Sequence, residues 1–220
     1  MRLPAQGDFT GVRILPQIIE GPTRWQIAID ALSHIAEEAV KHDESGIDIY
    51  FLIKSMYMRQ GVKNAEEVRN LLGKIDLREN RGATYFEPVL RAILGGHLRE
   101  YSRAAVPGSN IDLPRPLVII FLTDGVARDK TRAENVIMDA ARRLEEMGAY
   151  SNQVGIQFVQ VGEDKNAATF LKHLDDDLEE KCERDIVDTV PYNVQGGKEL
   201  KEQLIKILLG AIDKDIDEES

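Results

Sequence analysis

One cysteine in 220 residues, Cys182, leaves no partner for an internal disulfide and no cysteine cluster for a metal. It stands among Glu179, Glu180, Lys181 and Glu183, and acidic neighbours disfavour a thiolate, so no nucleophilic role is expected of it. Long apolar runs are missing too: none approaches the roughly 20 residues that cross a bilayer. The opening "MRLPAQGDF" has no apolar core of a signal peptide, and there is no Asn-x-Ser/Thr acceptor. Positive charge is scarce, with 28 Lys and Arg against 38 Asp and Glu, a net −10. Such a surface repels phosphate backbones and disfavours nucleic acid as a general partner. These absences favour an intracellular, cytoplasmic, soluble protein.

The common catalytic and phosphate-binding signatures are also absent. There is no G-x-x-x-x-G-K-[ST], no G-x-G-x-x-G after a strand and no G-x-S-x-G elbow. "QGGKE" around Gly196 follows a weak strand and reads as a turn into a helix. His34, His42, His97 and His173 show no metal-ligand spacing and read as surface or helix-edge residues. Asp175, Asp176 and Asp177 read as a solvated face, because a calcium loop needs alternating ligands and a glycine bend.

The chain does have hydrophobic residues in quantity, 43%, enough for one large core. Helical and strand patterns alternate after residue 24. "RWQIAIDALSHIAEEAV" puts Trp25, Ile29, Leu32, Ile35, Ala36 and Ala39 on one helical stripe. "GIDIYFLI", "RPLVIIFLT" and "VGIQFVQVG" are apolar almost throughout, as strands covered on both faces should be. "DIVDTVPY" is a short last strand. Helices are expected over "NAEEVRNLLGKI", "TYFEPVLRAILGGHLREY", "TRAENVIMDAARRLEEMGA", "NAATFLKHLDDDLEEK" and "GKELKEQLIKILLGAI". The first two open with capping-box spacing, Asn64 with Glu67 and Thr84 with Glu87, and Pro88 falls in a first turn. "AAVPGSNIDLPRP", residues 104 to 116, is a polar surface loop. The expectation is α/β, a doubly wound, mostly parallel sheet with helices on both faces. Residues 1–23 form an atypical first segment, 24–214 the domain, and 215–220 a frayed acidic tail.

Two positions stand out. Asp124 follows a buried strand, and Thr84 opens a helix after a glycine-bearing loop. In a doubly wound sheet, carboxyl strand ends and helix starts meet over one crevice. A hydroxyl and a carboxylate there suit a hard divalent cation, although Asp124-Gly125 is also ordinary turn chemistry and Thr84 an ordinary N-cap.

Taken in order, "RWQIAIDAL", "GIDIYFLI", "RGAT", "FLTDGVARD", "VGIQFVQVGED", "LDDDL" and "RDIVDTVPY" resemble an intracellular von Willebrand factor A domain of the fungal and microbial kind. The resemblance covers nearly everything from Arg24 to Ile212. It implies a Rossmann-like sheet whose crevice holds a metal-ion-dependent adhesion site: a D-x-S-x-S loop, a threonine and a second aspartate around magnesium, with a partner's carboxylate completing the shell. Thr84 matches the threonine and Asp124 the second aspartate. The D-x-S-x-S loop is absent: in register, Pro16, Ile18 and Glu20 occupy its acid and two hydroxyl positions, and only Glu20 offers oxygen. "DFTG" at Asp8 faintly resembles a D-x-T variant, but "RLPAQG" before it makes a poor strand.

The strand before that loop is central in the family, yet "FTGVRIL" carries Arg13 and stops at Pro16. Three arrangements accommodate this: a shorter, degenerate strand, a strand from a partner chain, or an amino terminus other than the biological one. The function implied is a non-catalytic protein-interaction module, its site formed by Glu20, Thr84 and Asp124, with magnesium bound weakly or not at all. Two other classes are a structural pseudo-domain with no crevice ligand and a magnesium-dependent phosphatase-like enzyme. "LTDGVARD" distantly resembles an acidic turn of haloacid-dehalogenase-like phosphatases, but their Asp-x-Asp nucleophile loop is missing, and Asp48 sits at the wrong end of its strand.

Overall fold

The computed structural model describes residues 11–16, 22–50, 58–75, 85–123, 126–161, 164–182, 184–190, 202 and 204–206. Within them, β1 (Gly11–Pro16), α1 (Pro22–His42), β2 (Ile47–Tyr50), β3 (Met58–Val62), α2 (Ala65–Leu72), α3 (Glu87–Ala104), β4 (Leu117–Thr123), α4 (Lys130–Glu146), β5 (Val154–Gln160), α5 (Lys165–Lys181) and β6 (Val187–Val190) follow in order. Residues 202 and 204–206 are helical, inside the expected closing helix. No described helix is long and apolar enough to cross a membrane.

The six strands form one sheet in the order β3-β2-β1-β4-β5-β6. All neighbours are parallel except β3, which pairs antiparallel with β2. The short first strand is therefore present, and it is central. β1 runs in register with β4 over six residues, from Gly11↔Leu117 to Pro16↔Leu122, and among the described residues pairs with β2 at Arg13↔Asp48 and Ile14↔Ile49. Pro16 is the last residue of β1, where a missing N–H costs the ladder least.

β4 is buried at every residue and divides the core. Leu117, Ile119 and Phe121 join a cluster with α3, α4 and α5, while Val118, Ile120 and Leu122 join one with α1, α2 and Leu204. The period-2 alternation of a strand is what feeds both clusters from one apolar run.

β3 was not visible in the sequence. "MRQGV" is exposed at three of its five residues, and it is held by the β2 turn as much as by pattern. Asp48 accepts the Gly61 N–H at 3.0 Å and the Gln60 amide at 3.4 Å. At the β2 end, Gly46 has φ +82°, and a Cβ there would sit 2.5 Å from the Val62 carbonyl oxygen. The Asn64 cap is as expected: Asn64 Oδ1 accepts the Glu67 N–H at 2.9 Å, and Glu67 answers by accepting from the Asn64 amide and the Lys63 N–H.

The two capping boxes do not both hold. α3 starts at Glu87, not Thr84, and its N-cap position is Phe86, with no side-chain cap of its own. His97 also departs from expectation. It lies on the buried side of α3, 6% exposed, with the Gln153 amide 3.0 Å from Nε2. Gln153 further donates to the carbonyls of Pro114 (2.9 Å) and Arg115 (3.3 Å). A polar side chain facing the core finds a partner there because an unpaired one costs more than an exposed one. The same amide thus pins the 104–116 loop against the start of β5. His34, His42 and His173 remain on the surface.

Gly46→Ala should lower the melting temperature by about 4 °C or more, since left-handed backbone alone costs an alanine about 1–2 kcal/mol before the clash with Val62. Gly95→Ala should do the opposite. Gly95 is inside α3, and its nearest obstacle is the flexible end of Arg99 at 3.4 Å, so the helix gains about 1 kcal/mol and roughly 2–4 °C. Differential scanning calorimetry of the two variants checks both signs.

Candidate functional site

Glu20, Thr84 and Asp124 all lie outside the described residues, as does Ile18. Their described neighbours define the place. Pro16 and Leu122 are registered neighbours on β1 and β4, so the segments that continue to Glu20 and Asp124 leave adjacent strand ends. Thr123, fully buried, ends β4 and its carbonyl accepts the Val161 N–H at 2.8 Å. These are the carboxyl ends of the central strands, on either side of the point where the strand order reverses.

The third segment is tied in by a residue that the sequence did not single out. Asp129, 8% exposed and at the N-cap position of α4, does not cap its own helix. Its carboxylate crosses to α3 instead: Oδ1 accepts the Phe86 N–H at 2.9 Å and Oδ2 the Glu87 N–H at 2.8 Å. This is why α3 needs no local Ser or Thr cap and starts three residues later than Thr84. Two orphan amides at a helix start and one carboxylate satisfy each other, and the helix dipole favours the negative charge. No local spacing could have shown this, because the partners are 42 and 43 residues apart.

Beneath this bridge Phe86 packs against Phe121 at 5.1 Å, Phe158 at 5.8 Å and Phe170 at 6.2 Å between ring centroids. Phe121 and Phe158 stack at 4.8 Å. The start of α3 is thus anchored to β4, β5 and α5 at once. On β5, the buried Gln160 donates to the Asp164 carbonyl at 2.9 Å, while Asp164 caps α5 through Asn166 and Ala167. On the outer rim Tyr85 is 52% exposed and Val126 39%. They stand next in sequence to Thr84 and to the Asp124-Gly125 pair.

Among the described residues no group of three or more His, Cys, Asp or Glu side chains could hold an ion. Asp129, the acid of this region, has each oxygen on a backbone amide. The described residues do not make a magnesium shell. Cys182 lies away from the crevice, beside Met138, Asp139, Arg142 and Lys181 around a 360 Å³ cleft. Burial, then the charge of Asp185, pushes its thiol pKa up, which agrees with an unreactive cysteine. Of the acidic run on α5, Asp176 is exposed and paired with Lys172 at 2.7 Å, a solvated face as expected.

No protein-family model matches the sequence, and no curated protein matches it. Solved structures do. The chain is similar to the VWA domain of SpRpn10, with 13% identity over 88% of this chain and 94% of that one and a TM-score of 0.53. It is similar to the N-terminal domain of TFIIH p34, with 12% identity over 89% and 96% and a TM-score of 0.55. A D319A mutant of the PilB minor pilin from Streptococcus sanguinis gives 12% identity over 93% of this chain and 62% of the pilin, with a TM-score of 0.53. With the strand order above, these likenesses show the fold: the chain has a von Willebrand factor A-like, Rossmann-like α/β architecture.

Removing the bridge should loosen the crevice more than a surface change would. Asp129→Ala leaves one buried and one half-buried amide unpaired and should cost about 2–3 kcal/mol, or roughly 4–12 °C in melting temperature for a chain of this size. Asp129→Asn, which keeps one acceptor oxygen, should fall between. Thermal unfolding with hydrogen exchange at Phe86 and Glu87 checks it. Unchanged protection in Asp129→Ala would show that the bridge holds nothing.

Proposed function

We propose that the chain is a non-catalytic protein-interaction module that receives its partner over the crevice flanked by the segments of Glu20, Thr84 and Asp124. The observation that carries this reading is the pair of exposed apolar side chains, Tyr85 and Val126, on a rim fixed by the Asp129 bridge. Two helix starts bonded to each other beside the strand ends favour recognition, because a partner then loses little to ordering that rim. The domain concerned is residues 24–214 together with β1, and the cytoplasm is the compartment that the composition favours.

Phosphatase chemistry fits worse. It would need free carboxylates, but Asp129 is bound to the start of α3, and Asp48 is bound to β3 at the amino end of β2. Divalent metal binding is proposed to be weak or lost. Pro16, Ile18 and Glu20 replace an acid and two hydroxyls, and magnesium demands a near-ideal octahedral shell. Isothermal titration with magnesium should show no saturable heat below millimolar concentration. A dissociation constant tighter than ~100 µM, the range of a full oxygen shell, would overturn that part.

The interaction itself is tested by photo-crosslinking. Benzoylphenylalanine placed at Tyr85 or Val126 should capture a protein in cells of the source organism, and placed at Ile111 or Tyr150, on the opposite pole, should not. Asp124→Asn should change the capture while shifting stability by no more than roughly 0.5 kcal/mol, as surface changes do. Capture at neither rim position would favour the pseudo-domain. A loss of several kcal/mol in Asp124→Asn would make Asp124 a structural anchor instead.

A further inference from the structure

We propose that the crevice rim at the start of α4 docks an acidic segment of a partner protein that also carries apolar side chains. This rests on the interaction reading above and names the partner's chemistry. Arg128, Lys130 and Arg132 are exposed within five residues, and the first turn of α4 contains no acid. Among the described residues none of the three has a carboxylate partner. Asp129, between them, is buried on the α3 amides, and Glu134, one turn beyond Lys130, makes no ion pair with it. Lys41, Arg91, Arg142, Lys172 and Arg184 each have an acid, whereas exposed cations without one, such as Arg99 and Arg103, also occur among the described residues; the start of α4 differs in holding three within five residues.

Three uncompensated cations on a chain of net −10 are a local reversal of sign. Their position makes them costlier still, since a helix start favours anions. An acidic segment would relieve both strains. The apolar element comes from Tyr85 and Val126. Tyr85 precedes the Phe86 amide bonded to Asp129, and Arg128 precedes Asp129 itself, so the aromatic ring and the cations flank one hydrogen bond. A long polyanion would meet the overall negative charge of the chain, whereas a short acidic–apolar segment meets only the rim.

The test is fluorescence anisotropy with the full chain and two fluorescein-labelled peptides of about twelve residues. One alternates Asp and Glu with Leu and Phe; the other has the same acids with Gly and Ser. The acidic–apolar peptide should bind, more weakly as salt rises. The combined variant Arg128→Glu, Lys130→Glu, Arg132→Glu should weaken it at least tenfold, and the corresponding Gln variant less. All three side chains are exposed, and an unchanged melting temperature confirms folding. Tyr85→Ser should weaken the acidic–apolar peptide several-fold and leave the acid-only peptide unaffected. Equal binding by the charge-reversed chain, equal binding of the two peptides, or tighter binding of single-stranded DNA would each overturn the proposal. Crosslinks from Val126 that persist in the charge-reversed chain would sink the acidic partner and keep the interaction module. Their absence in both chains would remove the module reading itself.

Discussion

The top of this domain depends on one carboxylate. Asp129 holds the first amides of α3 from the N-cap position of α4, and so fixes two helix starts to each other. Burying a charge is expensive unless it is hydrogen-bonded. Here two backbone donors and the dipole of an 18-residue helix offset the cost, and charge-assisted bonds of this kind are worth about 1.5–3 kcal/mol each when buried. The geometry then propagates downward. Phe86 sits at the held position, and its ring closes the cluster with Phe121, Phe158 and Phe170. The starts of α3 and α4 are thereby positioned by the core and by each other.

The sheet imposes the complementary constraint. β4 must serve two cores, and its seven buried residues leave no polar outlet before Thr123. The strand's polarity appears only at its end, in Thr123. β1 completes the arrangement at the centre. Its six-residue ladder with β4 anchors it, and β2 pairs in parallel along its other edge. The antiparallel β3 then closes the edge through Asp48 and the paired glycine turn rather than through apolar burial.

This division explains what the sequence could tell. Buried strands write long apolar runs, so β4 and β5 were visible, and with the helices between them so was the doubly wound class. β3 was hidden because its residues face water and its hold is a turn. His97 was misread because its helix spacing does not reveal that Gln153 waits for it across the core. Thr84 and Glu87 had the spacing of a capping box, but the cap came from 42 residues further along, and only the fold brings Asp129 there. Thr84 and Asp124 stand out in the sequence by their places at a helix start and after a buried strand, and Glu20 only through the family resemblance. The described structure places their flanking strand ends and helix starts around one crevice without describing the residues themselves.

The same carboxylate also shapes the surface electrostatics. An aspartate at an N-cap ordinarily satisfies its own helix and softens any cations in the first turn. Asp129 is at that position on α4 but spends both oxygens on α3. Arg128, Lys130 and Arg132 are left beside a helix start with no ion-pair partner among the described residues, and the buried Asp129 offsets only part of their charge. Order inside the crevice and strain on its rim are consequences of a single choice of hydrogen-bond partner. A fold that merely needed stability could have placed acids in that first turn. Retaining cations there makes sense where an external negative charge is to be met, which ties the internal architecture of the crevice to the chemistry of what approaches it.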